Sequence, residues 1–93
     1  MAQVVMLIHE DAGTFGASFP DFPGATTAAG DLDVLYRKAT NMLVFHLGGM
    51  AEDGDAIPTV RTLTELRTDP SFQEDAKDAV VGVVSVDLPG AMA

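Results

Sequence analysis

Phe19-Pro20-Asp21-Phe22-Pro23-Gly24 sets two prolines three residues apart, each behind a phenylalanine. Each proline fixes its own φ and holds the residue before it in an extended conformation. Pro20-Asp21 suits the centre of a type I turn. Pro23-Gly24 suits a type II turn, with glycine taking the positive φ. The stretch predicts a stiff corner between two strands, with its two aromatic rings free to fold back onto a core.

The flanks bear this out. Thr14 to Phe19 alternates, with Phe15, Ala17 and Phe19 on one side and Thr14, Gly16 and Ser18 on the other. Ala25 to Ala29 is a second strand, argued more from its bounding turns than from alanine, a poor strand former. Upstream, Val4 to Glu10 predicts a strand apolar on both faces, and Asp11-Ala12-Gly13 supplies hairpin residues. Downstream, Asp31 or Asp33 caps a helix. Its core stripe is Leu32, Leu35, Ala39, Met42, Leu43 and His46. Val44, Phe45 and Leu47 add apolar groups around the rest of the circumference, and Gly48-Gly49 weakens the helix there.

Glu52-Asp53-Gly54-Asp55 ends the helix, and Ile57-Pro58 opens an extended linker. Thr62 to Leu66 predicts a turn or two of helix, and Asp69-Pro70 starts another short one, aspartate as cap and proline at the first helical position. Val80 to Val86 is a β-branched strand. Its two apolar faces predict a central position, with Gly82 marking a bulge or a close backbone approach. The order β-β-β-α-(short helices)-β predicts an α+β fold, a small, mainly antiparallel sheet with one long helix on one face. One helix covers one face only. The second must be shielded by the short helices, by another copy of the chain or by a partner, since each fully buried valine or leucine contributes about 1.5–3 kcal/mol.

The corner, Gly30-Asp31, Glu52-Asp53-Gly54-Asp55-Ala56-Ile57-Pro58, Asp69-Pro70-Ser71-Phe72 and the final Val86-Asp87-Leu88 occur in an order and spacing that resemble the HicB-like antitoxins of bacterial toxin–antitoxin pairs. The resemblance implies a partial ribonuclease-H-like fold. It also implies a partner: a small basic HicA-like ribonuclease, occluded by an acidic surface. On that reading the partner-binding residues are Asp21 and Phe22 of the corner and Glu52, Asp53 and Asp55 of the acidic turn. The structural alternative makes Phe22 a core residue and the acids a solvated turn. A second functional reading keeps the fold and drops the toxin: a stand-alone homo-oligomer. A homo-oligomer is expected on either reading.

Composition bounds the rest. The chain has 93 residues, so a single domain spanning 1–93 is expected. An apolar fraction of 47% is far too high for a disordered chain. Fourteen acidic against five basic residues give a net charge of −9, which repels phosphate backbones and attracts basic partners. The five cations are scattered, so no direct nucleic-acid binding is expected. Family members often carry a DNA-binding module after the final strand, and none is expected in this chain. There is no cysteine, which suits a reducing cytoplasm. The apolar run after Met1-Ala2-Gln3 is too short to span a membrane.

No catalytic constellation emerges. His9 closes a strand, and His46 sits on the helix stripe as a packing residue. No metal-ligand spacing, nucleophile elbow, phosphate loop or dinucleotide fingerprint is present. Glu10, Asp11, Asp21, Asp31, Asp33, Asp53, Asp55 and Asp87 fall at strand ends, turns and the helix start, whereas a two-metal nuclease needs acids converging from strand centres. No enzyme activity, metal or cofactor is expected.

Overall fold

A computed structural model describes residues 2–88. Met1 and residues 89–93 lie outside the described residues, and so does the expectation that the last strand leads into no DNA-binding module. The elements are β1 (Ala2–Asp11), β2 (Thr14–Ser18), β3 (Thr26–Ala29), α1 (Leu32–Glu52), α2 (Leu63–Leu66), α3 (Pro70–Ala76) and β4 (Val80–Val86). The sheet is antiparallel throughout, in the order β3-β2-β1-β4.

β1 and β2 join through a two-residue turn, Asp11 pairing with Thr14. Ala12 and Gly13 both take positive φ, 51° and 84°, the type I′ geometry whose twist matches the strands it connects. The proline corner contains the two turns expected of it. Phe22 N–H donates to Phe19 O at 3.0 Å, and Ala25 N–H donates to Phe22 O at 3.1 Å. Gly24 has φ 89°, as position three of a type II turn requires.

β1 is the central strand and is sandwiched. Val4, Met6 and Ile8 pack under α1 with Phe19, Phe22, Ala25, Val84 and Val86. Val5 and Leu7 pack on the opposite face against Leu66 of α2 and Phe72 of α3. Of the three ways to shield the second face, the short helices therefore supply the main one. α1 is seated by Leu35, Ala39, Leu43 and Leu47, all fully buried and spaced four apart. Two stripe positions are corrected. Leu32 is exposed, because it lies at the first turn, beyond the edge of the core. Leu47, expected off the stripe, completes it.

A further correction concerns the last strand. β4 is an edge strand, paired to β1 from Ala2↔Val86 to Ile8↔Val80 and to no other described strand. Its inner face is covered by α1, burying Val84 and Val86, while Val80, Val81 and Val83 remain exposed. Apolar residues on both faces identify β1 as central, but on β4 they mark an uncovered rim. Gly82 is a close approach and not a bulge: a Cβ there would collide with the Tyr36 hydroxyl.

Candidate partner-binding surface

Asp21 lies inside the fold. Its side chain is 4% exposed, and both oxygens are used. Oδ2 accepts the Arg61 backbone N–H at 2.8 Å, and Oδ1 accepts Arg61 Nε at 2.7 Å. Arg61 Nη1 reaches Asp69 Oδ2 at 2.8 Å, while Asp69 Oδ1 caps α3 by accepting the Ser71 N–H at 2.8 Å. The position of Arg61 explains the arrangement. Val60 packs with the α1-side core and Leu63 with the α2–α3 side, so the chain crosses between the faces of the sheet at Arg61. The corner carboxylate clamps that crossing. Asp69, charge-assisted by hydrogen bonds from the Arg61 side chain and the Ser71 backbone, is held below the usual aspartate range, and the same bonds to Asp69 and Asp21 push the Arg61 guanidinium up.

Phe22 is 1% exposed and belongs to the core. Corner residues Asp21 and Phe22 thus brace the fold from within and present no side-chain surface. The acidic turn is outside. Glu52, Asp53 and Asp55 are all exposed. The turn is rigid nonetheless. Asp55 N–H donates to Met50 O at 2.9 Å and Gly54 N–H to Ala51 O at 3.2 Å, a Schellman closure with Gly54 at φ 73°.

Corner and turn converge on one cleft of about 430 Å³ beneath the C-terminal half of α1. Gly24 of the corner, Thr26 of β3, Met42 and His46 of α1, and the acidic Asp53 and Asp55 line it. Phe45 stands at the rim, 84% exposed. An aromatic ring this bare beside exposed carboxylates on a hydrogen-bonded turn is the chemistry of a protein-binding anchor with an acidic flank. Its sequence signal was the break in α1 polarity ahead of Gly48-Gly49, and nothing in the linear pattern tied it to Asp53 and Asp55. Of the two histidines, His46 is half-buried in this cleft, and His9 Nε2 lies 3.0 Å from the Asp75 carbonyl, tying β1 to α3.

Among the described residues, no group of three or more His, Cys, Asp or Glu is arranged to hold a metal ion, and no helix is long and apolar enough to cross a membrane. The sequence from residue 4 to 92 matches the model of the HicB-like antitoxins of bacterial toxin–antitoxin systems. The chain belongs to this family. The HicB-like fold is shared with the N-terminal domain of the Burkholderia pseudomallei antitoxin HicB: 26% identity, a TM-score of 0.73, 94% of this chain and all of that one. A HicB-like architecture is also found in a HicA3–HicB3 toxin–antitoxin complex, at 20% identity and a TM-score of 0.74 over 92% of this chain and 99% of that one. An uncharacterised 14.9 kDa protein of Haemophilus phage HP1, from the rep–hol intergenic region, is 34% identical over 71 residues. Those residues are 76% of this HicB-like chain and half of the phage protein.

Proposed function

We propose that this HicB-like protein is the antitoxin of a small basic HicA-like ribonuclease, which it occludes without catalysing a reaction itself. The observation that carries this reading is the cleft that sets exposed Phe45 beside Asp53 and Asp55, with Glu52 on the adjoining helix end. The acids draw a cationic RNA-binding face into register, and the aromatic ring anchors it once water is expelled. Asp21 and Phe22 act at one remove, by holding the corner whose Gly24 lines the cleft. Family membership supplies the class of partner; a net charge of −9 supplies its sign.

The test is co-expression and co-purification with any small basic protein encoded in the adjacent reading frame. The complex is expected to form and to suppress that protein's RNA cleavage. Phe45→Ser and the triple change Glu52→Gln, Asp53→Asn, Asp55→Asn are each expected to weaken it at least tenfold. A neighbouring basic ribonuclease that neither binds nor is inhibited would refute the reading.

A further inference from the structure

Three of the large apolar residues that the chain leaves exposed gather at one place: Leu32 and Tyr36 on α1 and Val80 on β4. With Ile8 and Phe15 they line a cavity of about 400 Å³ between the N-terminal half of α1 and the sheet. It shares no lining residue with the cleft of Phe45, Asp53 and Asp55, which lies at the other end of α1.

Two features distinguish this cavity from a chance gap in the packing. Gly82 is buried in the middle of a valine-rich strand, where glycine weakens the strand. A Cβ there would strike the Tyr36 ring, 3.3 Å from Cζ, and lie 3.5 Å from Ile8 Cδ1. Glycine thus lets the ring reach β4 and line the cavity. The second feature is a pair of carboxylates. Glu10 and Asp78 line the same cavity, each two residues beyond the last β1–β4 pair, Ile8↔Val80. The ion pairs of the described residues engage Asp21, Asp69 and Glu74, and leave Glu10 and Asp78 without a cation. Like charges brought together in this way are unfavourable until a cation joins them.

We propose that this cavity binds a small organic amine in its ammonium form, with a single ring or a short aliphatic chain as its body. Ile8, Phe15, Leu32 and Val80 take the body, and Glu10 and Asp78 take the charge. Tyr36 suits both, since an aromatic ring packs against apolar groups and attracts cations. Other ligand classes fit less well. A carboxylate or phosphate would meet two like charges on a chain of net charge −9. A bare metal ion would find only two carboxylates among apolar walls, fewer ligands than a cation site needs. A neutral hydrocarbon would leave the two carboxylates unrelieved. The volume sits at the small end of the range for small-molecule sites, about 300–1,000 Å³, which limits the body to a compact one.

Phenethylamine is the probe. Phenethyl alcohol is its neutral counterpart, phenylpropionate its anionic one, and methylammonium supplies the charge without the body. In amide NMR titrations of the whole chain, phenethylamine is expected to shift Ile8, Tyr36 and Gly82 saturably. It is expected to bind about tenfold more tightly than the alcohol, the combined effect of two exposed carboxylates and an aromatic ring. Phenylpropionate and methylammonium are expected to give no saturable shift. Glu10→Gln with Asp78→Asn is expected to remove the preference for the amine and leave the alcohol unaffected. Leu32→Ser, at an exposed position, is expected to weaken amine and alcohol alike, because it removes a wall and no charge.

No saturable shift with phenethylamine at about 10 mM overturns the proposal. So does equal affinity for amine and alcohol, or an amine preference that survives the loss of both carboxylates. Competition between phenethylamine and a bound toxin would assign the cavity to a side chain of the toxin and would also overturn it. Failure of toxin binding with the amine preference intact sinks the antitoxin reading alone.

Discussion

Asp21 shows how one side chain acquires its role from where the chain later returns. Its turn position was legible in Pro20-Asp21, since proline presets the geometry. Its partner was not, because Arg61 lies 40 residues away and only folding brings the two together. The pair is asymmetric. Arg61 is one-third exposed and recovers solvation when Asp21 is lost, whereas Asp21 is buried and does not recover it when Arg61 is lost. Arg61→Ala is therefore expected to cost about 3 kcal/mol and Asp21→Asn about 1–2 kcal/mol in urea unfolding. Equal costs, or costs below those of ordinary surface changes, would refute the clamp. Ala12 offers the opposite case. It is the one described non-glycine residue with positive φ, and Ala12→Asn in this type I′ turn is expected to stabilise the fold by about 0.5–1 kcal/mol, read as a higher urea midpoint.

Among the elements, the short helices carry the acid sensitivity. α2 has a complete capping box: Thr62 Oγ1 accepts the Glu65 N–H at 3.1 Å, and Glu65 Oε1 accepts the Thr62 N–H at 2.9 Å. The Thr62 backbone N–H first, and the Thr62 hydroxyl after it, hold the Glu65 carboxyl below its usual range, as the Arg61 side chain does for Asp69. Both folded values are depressed, so the stability they contribute is complete above the ordinary carboxylate range. It drains away as pH falls from about 4 through the lowered values. Urea midpoints measured between neutral pH and pH 3 are expected to drop, and Asp69→Asn with Glu65→Gln to flatten that drop. A double variant as acid-sensitive as the wild type would place the effect elsewhere. Thr62→Ala is expected to cost about 1 kcal/mol, because α2 has four residues and depends on its cap.

Helices and turns were readable because their signals are local: caps, prolines, a spacing of four. The rank of β4 in the sheet was not. A strand apolar on both faces is written the same way whether its far side meets a neighbour in the same chain or stands open, and only pairing with β1 on one side alone decides which.

At the scale of the whole molecule, net charge and cleft make a joint prediction. Association with a basic toxin is expected to slow by about tenfold between roughly 50 and 200 mM salt, as screening shortens the reach of the acidic field. The dissociation rate should change little if, as proposed, a desolvated Phe45 contact sets it. Stopped-flow measurements across that range check both, and a salt-independent association rate would remove electrostatic steering from the account. By itself the sequence determined the fold class, the element order, the corner and the sign of the charge, because periodicity, turn chemistry and composition act over a few residues or over the sum of all of them. Only the tertiary structure decided that Asp21 and Phe22 face inward, that α2 and α3 cover the second side of the sheet, and that Phe45 shares a cleft with Asp53 and Asp55. Those facts depend on which distant segments meet when the chain crosses its own sheet, and no local pattern encodes that meeting.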